Sequence, residues 1–206
     1  MIRTKKKLEF YIMADRMMNR GYFKPSFIQR LKNILLPDYT MQYLVAMRKY
    51  AYYSQWGGVK YCIPRVCYNL KYRKLGMKLG FSIGENVFGY GLVIPHYGTI
   101  VVGGSNRCGN YCVLHTSTCI SDNGKEIGDA LYLATGAKMT SKCKIGNNVS
   151  IGANSVVNRD FEEGNVMIAG VPARIIKDAE PWYVRDGSAY KSKVEKIENL
   201  KKTMRV

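Results

Sequence analysis

The chain has 206 residues, 47% of them hydrophobic, which is enough for a domain with a buried core and excludes wholesale disorder. Its formal net charge is +17, and no apolar run approaches the roughly 20 residues of a membrane span. The charge is uneven: residues 1–80 hold 17 Lys and Arg against 3 acids (Glu9, Asp15, Asp38), a balance suited to an anionic membrane surface, nucleic acid, an anionic substrate or plain solvation.

Met1 to Lys7 is basic, but Leu8 to Asp15 is interrupted by acids and reads as an amphipathic helix, not a signal-peptide core, so a cytoplasmic protein is expected. Residues 1–80 read as a helical segment, with helices over 5–19, 25–36, 38–55 and 64–79. Pro25, Pro37 and Pro64 stand at the helix starts, and Gly57-Gly58 and Gly76 punctuate. Tyr43, Tyr50, Tyr72 and their neighbours are expected to pack and to seal one end of the domain formed after residue 80.

From Val102 the sequence advances in sixes. Val102, Cys108, Leu114 and Ile120 lead four hexads, and Ile127, Leu133, Met139, Ile145 and Ile151 lead five more; Ile83 leads an isolated one. The step from Ile120 to Ile127 is one residue longer, which places an insertion in Asp122-Asn123-Gly124-Lys125. The fifth position is small or medium: Asn106, Cys112, Thr118, Leu131, Ala137, Cys143, Val149, Ser155. A period of six fits neither a helix nor an alternating strand. It fits a chain that turns a corner every six residues, three flats making a triangular coil of about 18 residues. Leading and fifth side chains then face the interior, and Gly and Asn suit corners that need left-handed backbone angles. The expected fold is mainly β, a left-handed parallel β-helix of hexapeptide repeats over 81–177. After it, 178–206 reads as a tail or short helix. The six cysteines form no C-x-x-C pair and are expected to be reduced thiols acting as small apolar fillers.

Three segments resemble the serine O-acetyltransferase branch of the hexapeptide-repeat acyltransferases. They are Pro95-His96-Tyr97-Gly98-Thr99-Ile100-Val101-Val102, Gly109-Asn110-Tyr111-Cys112-Val113-Leu114-His115, and Ile151 to Val157 followed by Ile168-Ala169-Gly170-Val171-Pro172-Ala173-Arg174. The resemblance implies a homotrimer with active sites between subunits, and acetyl-CoA as co-substrate, its acetyl group passing directly to an acceptor hydroxyl. It puts the general base on His96, since an imidazole is the side chain suited to general-base work at neutral pH. His115 is implied to hold the acceptor or support His96, or else to be an interface histidine bonded to backbone. Thr135, Ala153, Ala169 and Gly170 fall where backbone lines the pantetheine arm, with Arg174 and Lys177 placed to meet the phosphates.

The sequence departs from that pattern. Pro95 replaces an acid before the histidine, Phe81 stands where an orienting carboxylate is expected with Glu85 the nearest substitute, and Asn123-Gly124-Lys125-Glu126 replaces a His and Arg. The acceptor therefore stays open between L-serine and a sugar hydroxyl of a surface-polysaccharide precursor. In the latter case the basic segment could contact a glycan or a peripheral membrane site. A zinc-dependent carbonic anhydrase on this fold needs three histidine ligands and the chain has two, so no metal is expected. A non-catalytic scaffold would show a repeated Thr-x-Thr face, and nucleic-acid binding has only the charge in its favour.

Overall fold

A computed structural model describes residues 2–206. Four helices come first: α1 (Lys5–Arg20), α2 (Phe27–Leu35), α3 (Tyr39–Tyr53) and α4 (Val59–Leu79). Thr4, Ser26 and Asp38 cap the first three through their side chains, and Ser26 forms a reciprocal capping box with Gln29. Pro64 lies inside α4 and not at its start; the helix begins at Val59 behind Gly58. The proline removes one helical hydrogen bond, which the packing of α4 along α3 outweighs, for example Tyr43 against Tyr72 at 5.2 Å.

The chain then winds into a parallel β-solenoid of about five coils with three flat sheets. The first sheet holds β1 (Phe81–Ile83), β2 (Ile100–Val102), β5 (Thr118–Ile120), β8 (Lys138–Met139) and β11 (Val156–Val157). The second holds β3 (Arg107–Cys108), β6 (Glu126–Ile127) and β9 (Lys144–Ile145). The third holds β4 (Val113–Leu114), β7 (Tyr132–Leu133), β10 (Ser150–Ile151) and β12 (Val166–Gly170), closed by antiparallel β13 (Ala173–Asp178). Every predicted leading residue from Val102 to Ile151 is buried, and so is every predicted fifth-position residue. The sequence period is thus the path of a core running the length of the prism.

Left-handed residues recur coil after coil at two corners. Tyr111, Ala130, Asn148 and Asn165 occupy one corner in successive coils, and Ser117, Gly136 and Asn154 occupy another. Polar side chains stitch the coils together at the first of these: Asn147 Oδ1 accepts from Asp129 N and Asp129 Oδ1 from Asn110 N, both at 2.7 Å. Glycine is required beside this ladder, since a Cβ on Gly109 would lie 2.6 Å from Asp129 N.

The predicted insertion turns inward. Lys125 takes the interior place between Asn106 and Cys143 and is fully buried, with Nζ donating to Ser121 O at 2.9 Å and Ser121 Oγ at 2.8 Å. Cys108, Cys112 and Cys143 are buried fillers as expected, whereas Cys62 and Cys67 are exposed on α4.

The helices close the prism. Tyr43, Leu44, Met47, Leu75 and Leu79 join the solenoid core at its first coil. A buried clasp adds to this: Arg48 Nε donates to Asp15 Oδ2 at 2.8 Å and Arg48 Nη1 to Phe88 O at 2.7 Å, while Asp15 Oδ1 accepts from Leu92 N at 3.0 Å. Beyond the solenoid, α5 (Trp182–Arg185) and α6 (Ser188–Met204) fold back along the third sheet. Trp182 Nε1 donates to Tyr111 O at 2.7 Å, Tyr90 Oη to Glu198 at 2.9 Å, and Lys193 Nζ to Met18 O at 3.0 Å.

Candidate active site

The site lies on the corner where the third sheet turns into the first. Val93 pairs with Val113 and Ile100 with Thr118, so the first coil spends two residues more on this corner than the coil beneath it. Pro95, His96 and Tyr97 occupy the longer corner and are exposed. His115 follows β4 in the next coil, half-buried, its ring 5.0 Å from that of Tyr132. The two histidines therefore share one corner, near enough for a charge on His96 to disfavour a charge on His115.

Burial is the larger reason that the His115 pKa is lowered; His96 adds to it and Asp186 opposes it. Its neutral form is the one the fold prefers. The contribution of His115 to stability is therefore present above the ordinary imidazole value of 6.5 and is lost as pH falls below it. In a proton-resolved titration of the imidazoles, His115 should show a midpoint below 6.5; His96→Gln should move it up and Asp186→Asn further down. An unmoved midpoint in both variants would separate these groups.

Below the histidines the register sets out a ledge. Leu114, Leu133, Ile151 and Ile168 pair in sequence, so His115, Ala134, Gly152 and Ala169 form the next row and Thr116, Thr135, Ala153 and Gly170 the one beyond. Thr135, Ala153 and Gly170 are exposed, and Ser155 Oγ accepts from Gly170 N at 3.0 Å. Arg174 pairs with Ala169 across the closing hairpin and Lys177 with Met167. The four predicted arm-lining residues thus lie on one strip of small side chains under His96, with both predicted cations at its far end.

A cleft of about 460 Å³ opens beside this strip, lined by Tyr132, Ser150, Gly152, Ala153, Lys177 and Arg185 among others. Arg185 Nη1 donates to Ser150 Oγ at 3.0 Å and its guanidinium lies 4.7 Å from the Tyr132 ring centre. A larger cleft of about 770 Å³ lies on a different corner, between α4 and the first coil, and holds Glu85 and Asp122 but no histidine. Glu85 is therefore not beside His96. The acid that bears on His115 is Asp186, next to Arg185 at the end of α5. Nothing in the sequence pointed to these two residues, because the fold-back of the tail brings them there. Among the described residues, no group of three or more His, Cys, Asp or Glu is arranged to hold a metal ion.

No family model matches the chain. Curated relatives do: serine acetyltransferase from Synechococcus elongatus is 30% identical over 123 residues, 55% of this chain and 48% of that protein. The enzyme of the same name from Staphylococcus aureus is 32% identical over 105 residues, 48% of this chain and 46% of that protein. The chain resembles the serine acetyltransferases. It spans about half the length of these relatives, and 56% of the Staphylococcus xylosus serine acetyltransferase. Among solved structures, the serine acetyltransferase of Neisseria gonorrhoeae superposes with a TM-score of 0.62 at 20% identity, over 86% of this chain and 69% of that one. Soybean serine acetyltransferase gives 0.59 at 17%, over 84% and 83%. A serine acetyltransferase in complex with CoA gives 0.57 at 20%, over 82% of this chain and 68% of that one. At these identities the structural likeness establishes the fold, helices and solenoid together.

Proposed function

We propose that the chain is an acetyl-CoA-dependent O-acetyltransferase that acetylates L-serine or a closely related hydroxyl compound. The observation that carries this reading is the pair of histidines at the head of a strip of small residues, on a fold shared with serine acetyltransferases. Acetyl-CoA supplies an activated acetyl thioester. The exposed His96 imidazole takes the proton of the acceptor hydroxyl as its oxygen attacks the thioester carbonyl, then returns it to the departing thiolate. His115, kept neutral by burial, offers a hydrogen bond to the acceptor or to His96. The ledge of Thr135, Ala153, Ala169 and Gly170 lets a thin pantetheine arm lie against backbone, and Arg174 and Lys177 stand where its phosphates would be met.

His96 stands on an outer corner of a single chain, and a site that excludes water there needs a second wall. A neighbouring copy in a homotrimer provides one, with 81–177 as the catalytic unit and the flanking helices closing its ends. The decisive assay follows thiol release from acetyl-CoA with L-serine and with a panel of sugars as acceptors. Serine-dependent release supports the reading. Release with sugars alone would transfer the same chemistry to a polysaccharide precursor, and no release with any acceptor would overturn it.

A further inference from the structure

Two helices of the N-terminal segment carry apolar faces that nothing among the described residues covers. In α4, Val59, Ile63, Val66, Leu70 and Met77 recur at helical spacing on one side and are exposed, Val59 to 85% and Ile63 to 71%. In α2, Phe27, Ile28, Leu31, Ile34 and Leu35 do the same, and the helix buries no residue at all. The two helices stand on opposite banks of one groove over α3, with Asn33 on one bank and Tyr68 and Lys71 on the other. The stripes lie on the faces of the two helices turned away from that groove, so both remain open to an outside partner.

The charge on these helices says what covers them. Neither contains an acidic residue, and together they hold eight cations: Arg30 and Lys32 on α2, and Lys60, Arg65, Lys71, Arg73, Lys74 and Lys78 on α4. None of the eight is in an ion pair among the described residues. A second copy laid on this face would set like charge against like. Nucleic acid would answer the charge but leave the apolar stripes in water. An anionic lipid surface answers both, since an in-plane helix buries its apolar face at the acyl boundary and sets its cations among the headgroups. Trp56 lies half-exposed at the loop before α4, 5.9 Å from Tyr61, a ring suited to headgroup depth. No helix among the described residues is long and apolar enough to cross a membrane, so contact of this kind lies along the surface.

We propose that α2 and α4 form a docking face for an anionic membrane surface, on which the chain lies peripherally with its solenoid held above the headgroups. The face lies outside the acetyl-transfer site and binding needs no acetyl-CoA, so the two readings fail separately.

The test is co-sedimentation of the full chain with phosphatidylcholine vesicles, with and without phosphatidylglycerol, at low and raised salt. Emission from Trp56 is followed in a Trp182→Phe background. Binding that requires phosphatidylglycerol, weakens with salt and shifts Trp56 emission to the blue is expected. Leu31→Glu with Leu70→Glu, both at exposed positions, should weaken it about tenfold or more while leaving the far-ultraviolet circular dichroism unchanged. The proposal is overturned by equal binding to neutral vesicles, by undiminished binding of the double variant, or by light scattering that shows the double variant splitting a larger assembly of the wild-type chain. That last result would assign the face to a second copy.

Discussion

His96→Ala is expected to lower kcat for acetyl transfer by about 10²–10⁴-fold, the range that loss of a positioned general base produces. The KM for acetyl-CoA should change little, because the strip proposed to hold the arm, from Thr135 to Gly170, is built on other coils. Thermal stability should also hold, since His96 is exposed and its corner protrudes from the ladder. His115→Asn is expected to cost less in kcat than His96→Ala, since an amide can still make one hydrogen bond. Steady-state kinetics of the two variants beside their melting curves checks both statements. Unchanged turnover in His96→Ala would remove the imidazole from the mechanism and leave the ledge without its chemistry.

Arg48→Ala is expected to destabilise the chain by about 3–5 kcal/mol, the cost of leaving one member of a buried ion pair without its partner. Arg48 and Asp15 are 1% and 0% exposed, and the guanidinium also serves the carbonyls of Phe88 and Gly89. For a chain of this size the melting temperature should fall by about 10 °C. Arg20→Ala is the matched control. It breaks an ion pair with Asp38 that remains partly open to solvent, and should cost about 1 kcal/mol or less. Urea unfolding of the three proteins, compared at the midpoint, separates the clasp from the surface pair. Equal midpoints would mean that apolar packing alone holds the helices to the first coil.

The solenoid was legible because its constraint repeats: each leading and fifth residue faces the same narrow interior, and the sequence must obey it coil after coil. The His96 corner and the strip from Thr135 to Gly170 were legible only through resemblance. The first coil was half-hidden. Ile83 pairs with Val102 but Phe88 with Cys108, so the coil drops a residue on one flat and gains two at the histidine corner, and the period dissolves. Lys125 was unreadable as an interior residue, since only its turn supplies the oxygens that make a buried ammonium tolerable. Left-handed angles at Tyr111, Ser117 and Ala130 run against the usual preference and are imposed by neighbouring coils. Asp15 and Arg48 lie 33 positions apart with no pattern joining them, and Asp186 bears on His115 only through the fold-back of the tail.

That fold-back also sets an order of events. Lys193 meets Met18 across 175 positions and Glu198 meets Tyr90 across 108, whereas each coil needs only the coil before it. During synthesis the coils can stack as they emerge, while closures of such long separation must wait. A chain truncated after Lys177 would thus carry the coils and both histidines but lack Arg185 and Asp186. The rim of the candidate site is completed last, after the scaffold is already in place.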